Sequence, residues 1–494
     1  MKNHFFTFIL VISYFSVFSQ NQYLTDLDPI RGYNYDFSLM GILNEEESVF
    51  ELYDEMYLVN SSSKKVEKIE FNSEELYKGA YSREVLHGKS NSKNFFFLSK
   101  GNYSSKYMLT DGVYNLHSFH DGEIKTAKLD EGKISNESTI RTLVSEDGIY
   151  VILSSWKKEG NELIVYKFDN DLELIWKSEE NVTLTNEMEI ISSDAAIDNG
   201  LVITIKITPN NQNTFTLVGS KLPKSGLAFI TYNENGKLNI ITPQFPENFY
   251  AVTSSFSMKN EEVIGVLFIN DLKTANTTSA YNNGYIYLKW NTDGSVKEFK
   301  KQYFSYEDVK SDELEAHLNK FRLNESAFGD KEAGMVAMRP RAFKATFLLD
   351  GSAVCFSSII GVGFKQALLN SKLIFRISNQ GELVWTKFYP GDNPEYFAIA
   401  SAIIDEATGK IRFLAGTHKG VVTIEEKTFE KNGFRFAIID RELDLNNGEE
   451  VNKEYLDYPD AAGSEIAYIY SGVNSFLILF SRKTSHKVCS VLVD

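Results

Sequence analysis

The chain has 494 residues and a formal net charge of −16, with 51 Lys and Arg against 67 Asp and Glu. This balance argues against nucleic acid and anionic membrane surfaces as partners, because both demand a basic face. Hydrophobic residues make up 43% and aromatics 13%, mostly Tyr and Phe, with only 9 Pro, which fits a folded β-rich chain. Solubility explains the acidic excess; calcium or a cationic partner is the sharper alternative.

Taken in chain order, the first segment reads as a secretory signal peptide, residues 1–19. Lys2 supplies a basic start, Phe5 to Phe18 form a short apolar core, and Ser19-Gln20 offers a small residue for cleavage. It is too short for a membrane anchor, and no Cys stands at the cut as a lipoprotein would need. No later stretch reaches about 18 uninterrupted apolar residues. The expectation is an exported chain, periplasmic or extracellular, with no transmembrane segment after residue 20.

From there a unit returns about every 50–65 residues: an aromatic-rich strand, a turn bearing Asn, Asp or Gly, and a second strand. It is seen in Leu163–Trp176, Leu227–Ile241, Tyr285–Phe299 and Leu373–Trp385. Each unit divides into four strands. In the third, Thr139–Val144 meets the turn Glu146-Asp147-Gly148, then Ile149–Leu153, Leu163–Phe168 and Leu174–Trp176 follow. Short polar side chains and Gly at Asp147-Gly148, Asn170-Asp171, Asn235-Gly236, Asp293-Gly294 and Asp350-Gly351 suit tight hairpins. Repetition of small sheets at this period predicts an all-β fold and one β-propeller domain over residues 20–494, WD40-like in its repeat.

Counting the aromatic third strand from Met56–Val59 to Val488–Val493 favours eight blades, with seven as the alternative. The last unit lacks its final strand. A segment between Tyr33 and Phe71 is expected to supply it and close the ring, since open edge strands invite aggregation. One interval is too long: Tyr306–Leu323 reads as helix, with Leu314, Leu318 and Phe321 on one face. Residues 305–340 are therefore expected to form a helical insertion between blades, and long loops are where function tends to sit.

Candidate chemistry is sparse. Trp176 and Trp385 hold the same repeat position; sugar stacking is conceivable there, but packing between blades is the better reading. Glu313 and His317 share a helix face without a third metal ligand or an HExxH pattern. Asp169-Asn170-Asp171 and Asn291-Thr292-Asp293-Gly294 lack the downstream Glu of a calcium loop and read as hairpin turns. Thr408-Gly409-Lys410 after Asp405 resembles the turn of quinone-dependent dehydrogenase propellers over a few residues only. Sialidase Asp boxes and a GxSxG elbow are not met. The histidines after the signal peptide (His87, His117, His120, His317, His418, His486) are scattered, and nothing assembles one with a Ser or Cys. Cys355 and Cys489 lie in different repeats and read as two buried thiols, with a disulfide as the alternative. No catalytic, cofactor or metal residue is assigned from these patterns.

In its signal peptide, ending Ser19-Gln20, its repeat length and its strand–turn–strand units, the chain resembles secreted β-propeller proteins of Bacteroidota. The resemblance is architectural and names no activity. The leading expectation is a monomeric binding protein of the cell envelope that meets a protein or glycan partner through rim loops. A glycan-active hydrolase or lyase with its site at the central channel is the alternative.

Overall fold

The computed structural model describes residues 22–26 and, between 38 and 492, the strands and most short turns. The longer segments outside that description are 1–21, 27–37, 103–111, 130–138, 209–225, 242–250, 273–280, 316–337, 362–370, 390–401, 418–421, 430–436 and 458–464. Among the described residues the chain is all-β apart from short helical turns, and it forms eight four-stranded antiparallel sheets and one small hairpin. Sheets I to VII each use four strands that follow one another in the sequence: I over 38–69, II over 82–128, III over 139–182, IV over 187–241, V over 251–303, VI over 338–389 and VII over 402–457. The hairpin Val422–Ile424 with Lys427–Phe429 lies between the second and third strands of sheet VII.

Alternation explains why these strands stack rather than face water. In sheet II the run Phe95-Phe96-Phe97-Leu98 is buried throughout. Phe95 and Phe97 pack with Val49 and Met56 of sheet I, while Phe96 and Leu98 pack with Ile149 and Val151 of sheet III. A strand apolar on both faces needs a neighbour on each side. The same arrangement joins III to IV through Val165 and Ile203, IV to V through Phe229 and Trp290, V to VI through Tyr285 and Phe375, and VI to VII through Ile374 and Phe413. Each consecutive pair from I to VII is thus a face-to-face sandwich.

The first strands of sheets I to V lie beside those of the next sheet, so these sheets converge along one edge. Small hydroxyl residues permit that approach. Ser255 Oγ donates to the Ala345 carbonyl of the neighbouring first strand at 3.2 Å, and Ser254 Oγ to Thr204 Oγ1 on the second strand of sheet IV at 3.1 Å. Six first strands also carry a β-bulge near the same place, as between Val85 and His87 or Ala251 and Thr253. A bulge bends the strand and adds twist where the blades crowd together. Sequential four-stranded sheets stacked face to face, with their first strands converging, are the blades of a β-propeller.

Two expectations need correction. The strand that completes the last sheet is Gln22–Asp26, which pairs with Ser485–Leu492; it does not come from 33–71. Residues 38–69 form four strands of their own, so they have no strand to lend. Nor does one helix run over 306–323. Ser305 caps a single turn, Tyr306–Val309, in a reciprocal capping box with Asp308, and Lys310 then turns extended (φ −63°, ψ 130°). Val309 and Phe304 are buried in the V/VI core, which anchors this turn against the sheets. A second turn starts at Ser311, whose carbonyl accepts from the Glu315 amide; Leu314, Leu318 and Phe321 lie outside the described residues.

Candidate binding rim

A meander sends its connections alternately to its two ends. The first-to-second and third-to-fourth strand connections therefore share one rim; the second-to-third and sheet-to-sheet connections share the other. On the first rim the chain turns tightly: among the longest described turns are 233–237, 348–352 and 378–382. On the second it runs through 209–225, 304–337, 390–401 and 418–436.

The tight rim consumes its own polar groups. Asp169 Oδ1 accepts from the amides of Asp171 and Glu173, Asn233 Oδ1 from Asn235 and Lys237, and Asp444 Oδ1 from Asn446 and Asn447. Such side-chain acceptors close each turn locally. Turns also lock onto the sheet before them. Gly236 (φ +71°) sits on the ring of Trp176, and Gly448 (φ +70°) on that of Trp385; a Cβ on either would come within 2.7 Å of the indole. Gly381 rests likewise on Tyr287. Trp385 Nε1 donates to the Leu445 carbonyl at 2.9 Å, and Trp176 stacks on Tyr232 with centroids 5.5 Å apart. Both tryptophans pack between blades, as the repeat predicts. Sequence did not reveal that the partner of each is the next unit's turn glycine.

A second device recurs at this rim. The third-strand residue that precedes the turn pairs with a charge at, or in the turn just before, the start of the second strand. Lys167 bonds Asp147 at 2.6 Å, Lys289 bonds Glu262 at 3.0 Å, and Arg376 lies 3.7 Å from Asp350. In sheet VII the signs are reversed, with Glu442 on Lys410 at 2.8 Å. Lys167 is the most enclosed, its side chain 2% exposed over the Tyr150 ring. Burial pulls its pKa down, and Asp147 opposes that.

The candidate motifs fall within this framework. Asp169-Asn170-Asp171 is a hairpin turn whose Asn170 Nδ2 donates to the Glu146 carbonyl. Asn379 makes the equivalent bond to the Asp350 carbonyl in sheet VI. At Asp405, the carboxylate receives the amides of Ala407 and Thr408, and Lys410 is taken by Glu442. Trp290 is buried in the IV/V core. Cys355 is a buried free thiol, its pKa pushed well up by burial, so it is not joined to Cys489. Glu313, Thr292 to Gly294, His317 and His418 lie outside the described residues, as do the side chains of Trp156, His87, His486 and Cys489.

One constellation escaped the sequence reading. Ser99 Oγ stands 2.6 Å from His117 Nε2, His117 Nδ1 lies 2.9 Å from Thr126 Oγ1, and Tyr77 hydroxyl lies 2.5 Å from Ser99. A Ser–His pair invites comparison with a hydrolase nucleophile and base. The surroundings argue otherwise. His117 and Tyr77 are 0% exposed and Ser99 1%, with the imidazole held between Phe71 and Phe97. Burial pushes the His117 pKa down to about 3. No carboxylate orients the ring, because the third partner is a threonine. The chain saturates a buried imidazole with hydroxyls from neighbouring strands. No local pattern marks it, since its members are scattered over residues 77–126; Ser99, His117 and Thr126 meet by strand pairing, and Tyr77 reaches Ser99 from the turn before the sheet. Among the described residues no group of three His, Cys, Asp or Glu is placed to hold a metal ion.

No family model matches the chain, and no curated protein matches it by sequence. Among solved structures, it is similar to the WD40 domain of SCAP from fission yeast, with 8% identity, a TM-score of 0.43, and coverage of 95% of this chain and 98% of that one. It is similar also to the β-propeller domain of the Trilobed protease from Pyrococcus furiosus (10% identity, TM-score 0.37, 83% and 95% covered). A third is the polysaccharide lyase Uly1 (10%, 0.41, 82% and 89%). By its own sequential four-stranded sheets the chain is of the β-propeller type.

Proposed function

We propose that the eight sheets close into one eight-bladed ring, with Gln22–Asp26 completing the last blade, and that this ring is an exported, non-catalytic binding module. Its partner, a protein or a glycan, meets the rim that carries 209–225, 304–337, 390–401 and 418–436. The division of labour between the rims carries this reading. One end is closed by turns whose donors, glycines and charges are spent on holding blades together. The other is where the chain invests its length, and long connections on a rigid scaffold are the usual carriers of recognition. The sealed state of Ser99 and His117 is in keeping with a binding role, since substrate cannot reach the one Ser–His pair described.

The test is loop replacement. Purified protein is screened against a glycan array and cross-linked to envelope proteins, before and after 316–337 and 418–436 are replaced by short Gly-Ser linkers. Binding that is lost on replacement, with the melting transition kept, supports the reading. Polysaccharide cleavage by the purified protein, abolished by single carboxylate changes near the ring axis, would overturn it in favour of a hydrolase or lyase.

A further inference from the structure

Sheet VII has two unlike faces. Ile411, Phe413 and Leu443 pack against Phe356 and Ile374 of sheet VI, with Arg441, paired to Glu450, over the Tyr389 ring on the same side. The alternate residues, on the opposite face, include Arg412 and Asp440, joined by a bidentate ion pair. Arg412 Nε donates to Asp440 Oδ1 at 2.9 Å, and Nη2 bonds Oδ2. Their side chains are only 14% and 4% exposed, so this face is covered. Leu414 shares it, and the Lys410–Glu442 pair extends it toward the tight rim.

Register shows how unusual this is. The positions of Arg412 and Asp440 correspond to Tyr150 and Val165 in sheet III, Val202 and Phe229 in sheet IV, and Val354 and Ile374 in sheet VI. All of these are apolar and point at the following sheet; sheets II and V obey the same rule. Only on this face of sheet VII, among these six, does an ion pair replace the apolar pair. In the closed ring this face meets the last sheet, VIII, in which Gln22–Asp26 joins Glu465–Ser471, Ser475–Arg482 and Ser485–Leu492. Phe476, Leu477 and Ile478 of its middle strand are all buried, so both of its faces are covered there.

We propose that the VII/VIII boundary is the seam at which the ring opens. The inference rests on the closed-ring reading above. Parting two apolar faces exposes both to water at full cost. Parting a face built on Arg412 and Asp440 rehydrates two charges, recovering the desolvation that burial imposed on them. The boundary therefore holds less tightly than those from II/III to V/VI, and the ring parts there before they loosen.

Hydrogen exchange on the full chain tests this. In the wild type, amides of Ser475–Arg482 and Ser485–Leu492 are expected to exchange about tenfold or more faster than those of Gly148–Lys157. The double variant Arg412→Val with Asp440→Ile, which copies sheet VI, is expected to slow sheet VIII about tenfold and leave sheet III unchanged. Uniform exchange across the sheets of the wild type overturns the seam, whether or not the variant folds. So does a folded variant in which sheet VIII exchanges as before. A Leu24→Cys variant separates the two readings: failure to cross-link with Cys489 sinks the closed ring, whereas a formed cross-link with uniform wild-type exchange sinks the seam alone.

Discussion

Leu24 pairs in register with Cys489, which ties the first described strand to the last. Directly paired residues in antiparallel strands have Cα atoms about 4.5–5.5 Å apart, within the reach of a disulfide. Leu24→Cys is therefore predicted to oxidise to an intramolecular cross-link with Cys489. Non-reducing electrophoresis and peptide mass mapping would detect it, and Cys489→Ser should abolish it. Since Cys355 is buried and free, it should not compete. A clean bond is expected to raise stability by about 3–5 kcal/mol through the very long loop it closes; absence of the bond would place the strand elsewhere.

The tryptophan–glycine contact gives a second prediction. Trp385 is 8% exposed and lies under Gly448. Trp385→Ala should cost about 3–5 kcal/mol by opening a cavity. Gly448→Ala should cost more than about 1 kcal/mol, because it meets both the positive φ and the indole. Denaturant midpoints report both values. Equal costs for Gly448→Ala and for Gly122→Ala, also at positive φ but with open space around it, would show that the contact contributes nothing.

His117 predicts an acid-side loss of stability. Its folded pKa of about 3 lies below the ordinary 6.5, so the unfolded chain takes up a proton that the folded chain refuses. Its contribution is complete above pH 6.5 and falls as pH drops, by at most about 1.4 kcal/mol per unit, until about pH 3. His117→Gln, which cannot charge, should flatten the wild-type slope between pH 4 and 6 in urea melts. An unchanged slope would assign that acid sensitivity to other groups.

The buried Lys167 pair should behave asymmetrically. Asp147→Ala leaves a lysine whose side chain is 2% exposed without its carboxylate, at a cost of about 3 kcal/mol. Combining it with Lys167→Met should restore most of that loss. A double variant no more stable than Asp147→Ala would mean that the charge was never the problem. For Lys289 and Glu262, about a quarter exposed each, exchanging the two residues together with Lys297→Glu, since Lys297 also pairs with Glu262, should change stability by less than about 1 kcal/mol, as sheet VII already carries the reversed arrangement.

What the sequence determined by itself was local. Strand period, turn chemistry at Asp147-Gly148 and Asn235-Gly236, and the return of the unit specify four-stranded hairpin units, because alternation and αL-tolerant residues act within a few positions. It also placed Trp176 and Trp385 between blades. Tertiary structure decided whatever depends on distant segments meeting. Gln22–Asp26 gives no local sign of being the strand that pairs with 485–492. Helical spacing over 306–323 was overruled at Lys310, once Phe304 and Val309 were committed to the V/VI core. Ser99, His117 and Thr126 become partners only through register, and Arg412 with Asp440 reads as ordinary strand polarity until its face is found covered. The repeat encodes each blade through short-range preference; the contacts that distinguish one blade boundary from another are long-range and have no period to betray them.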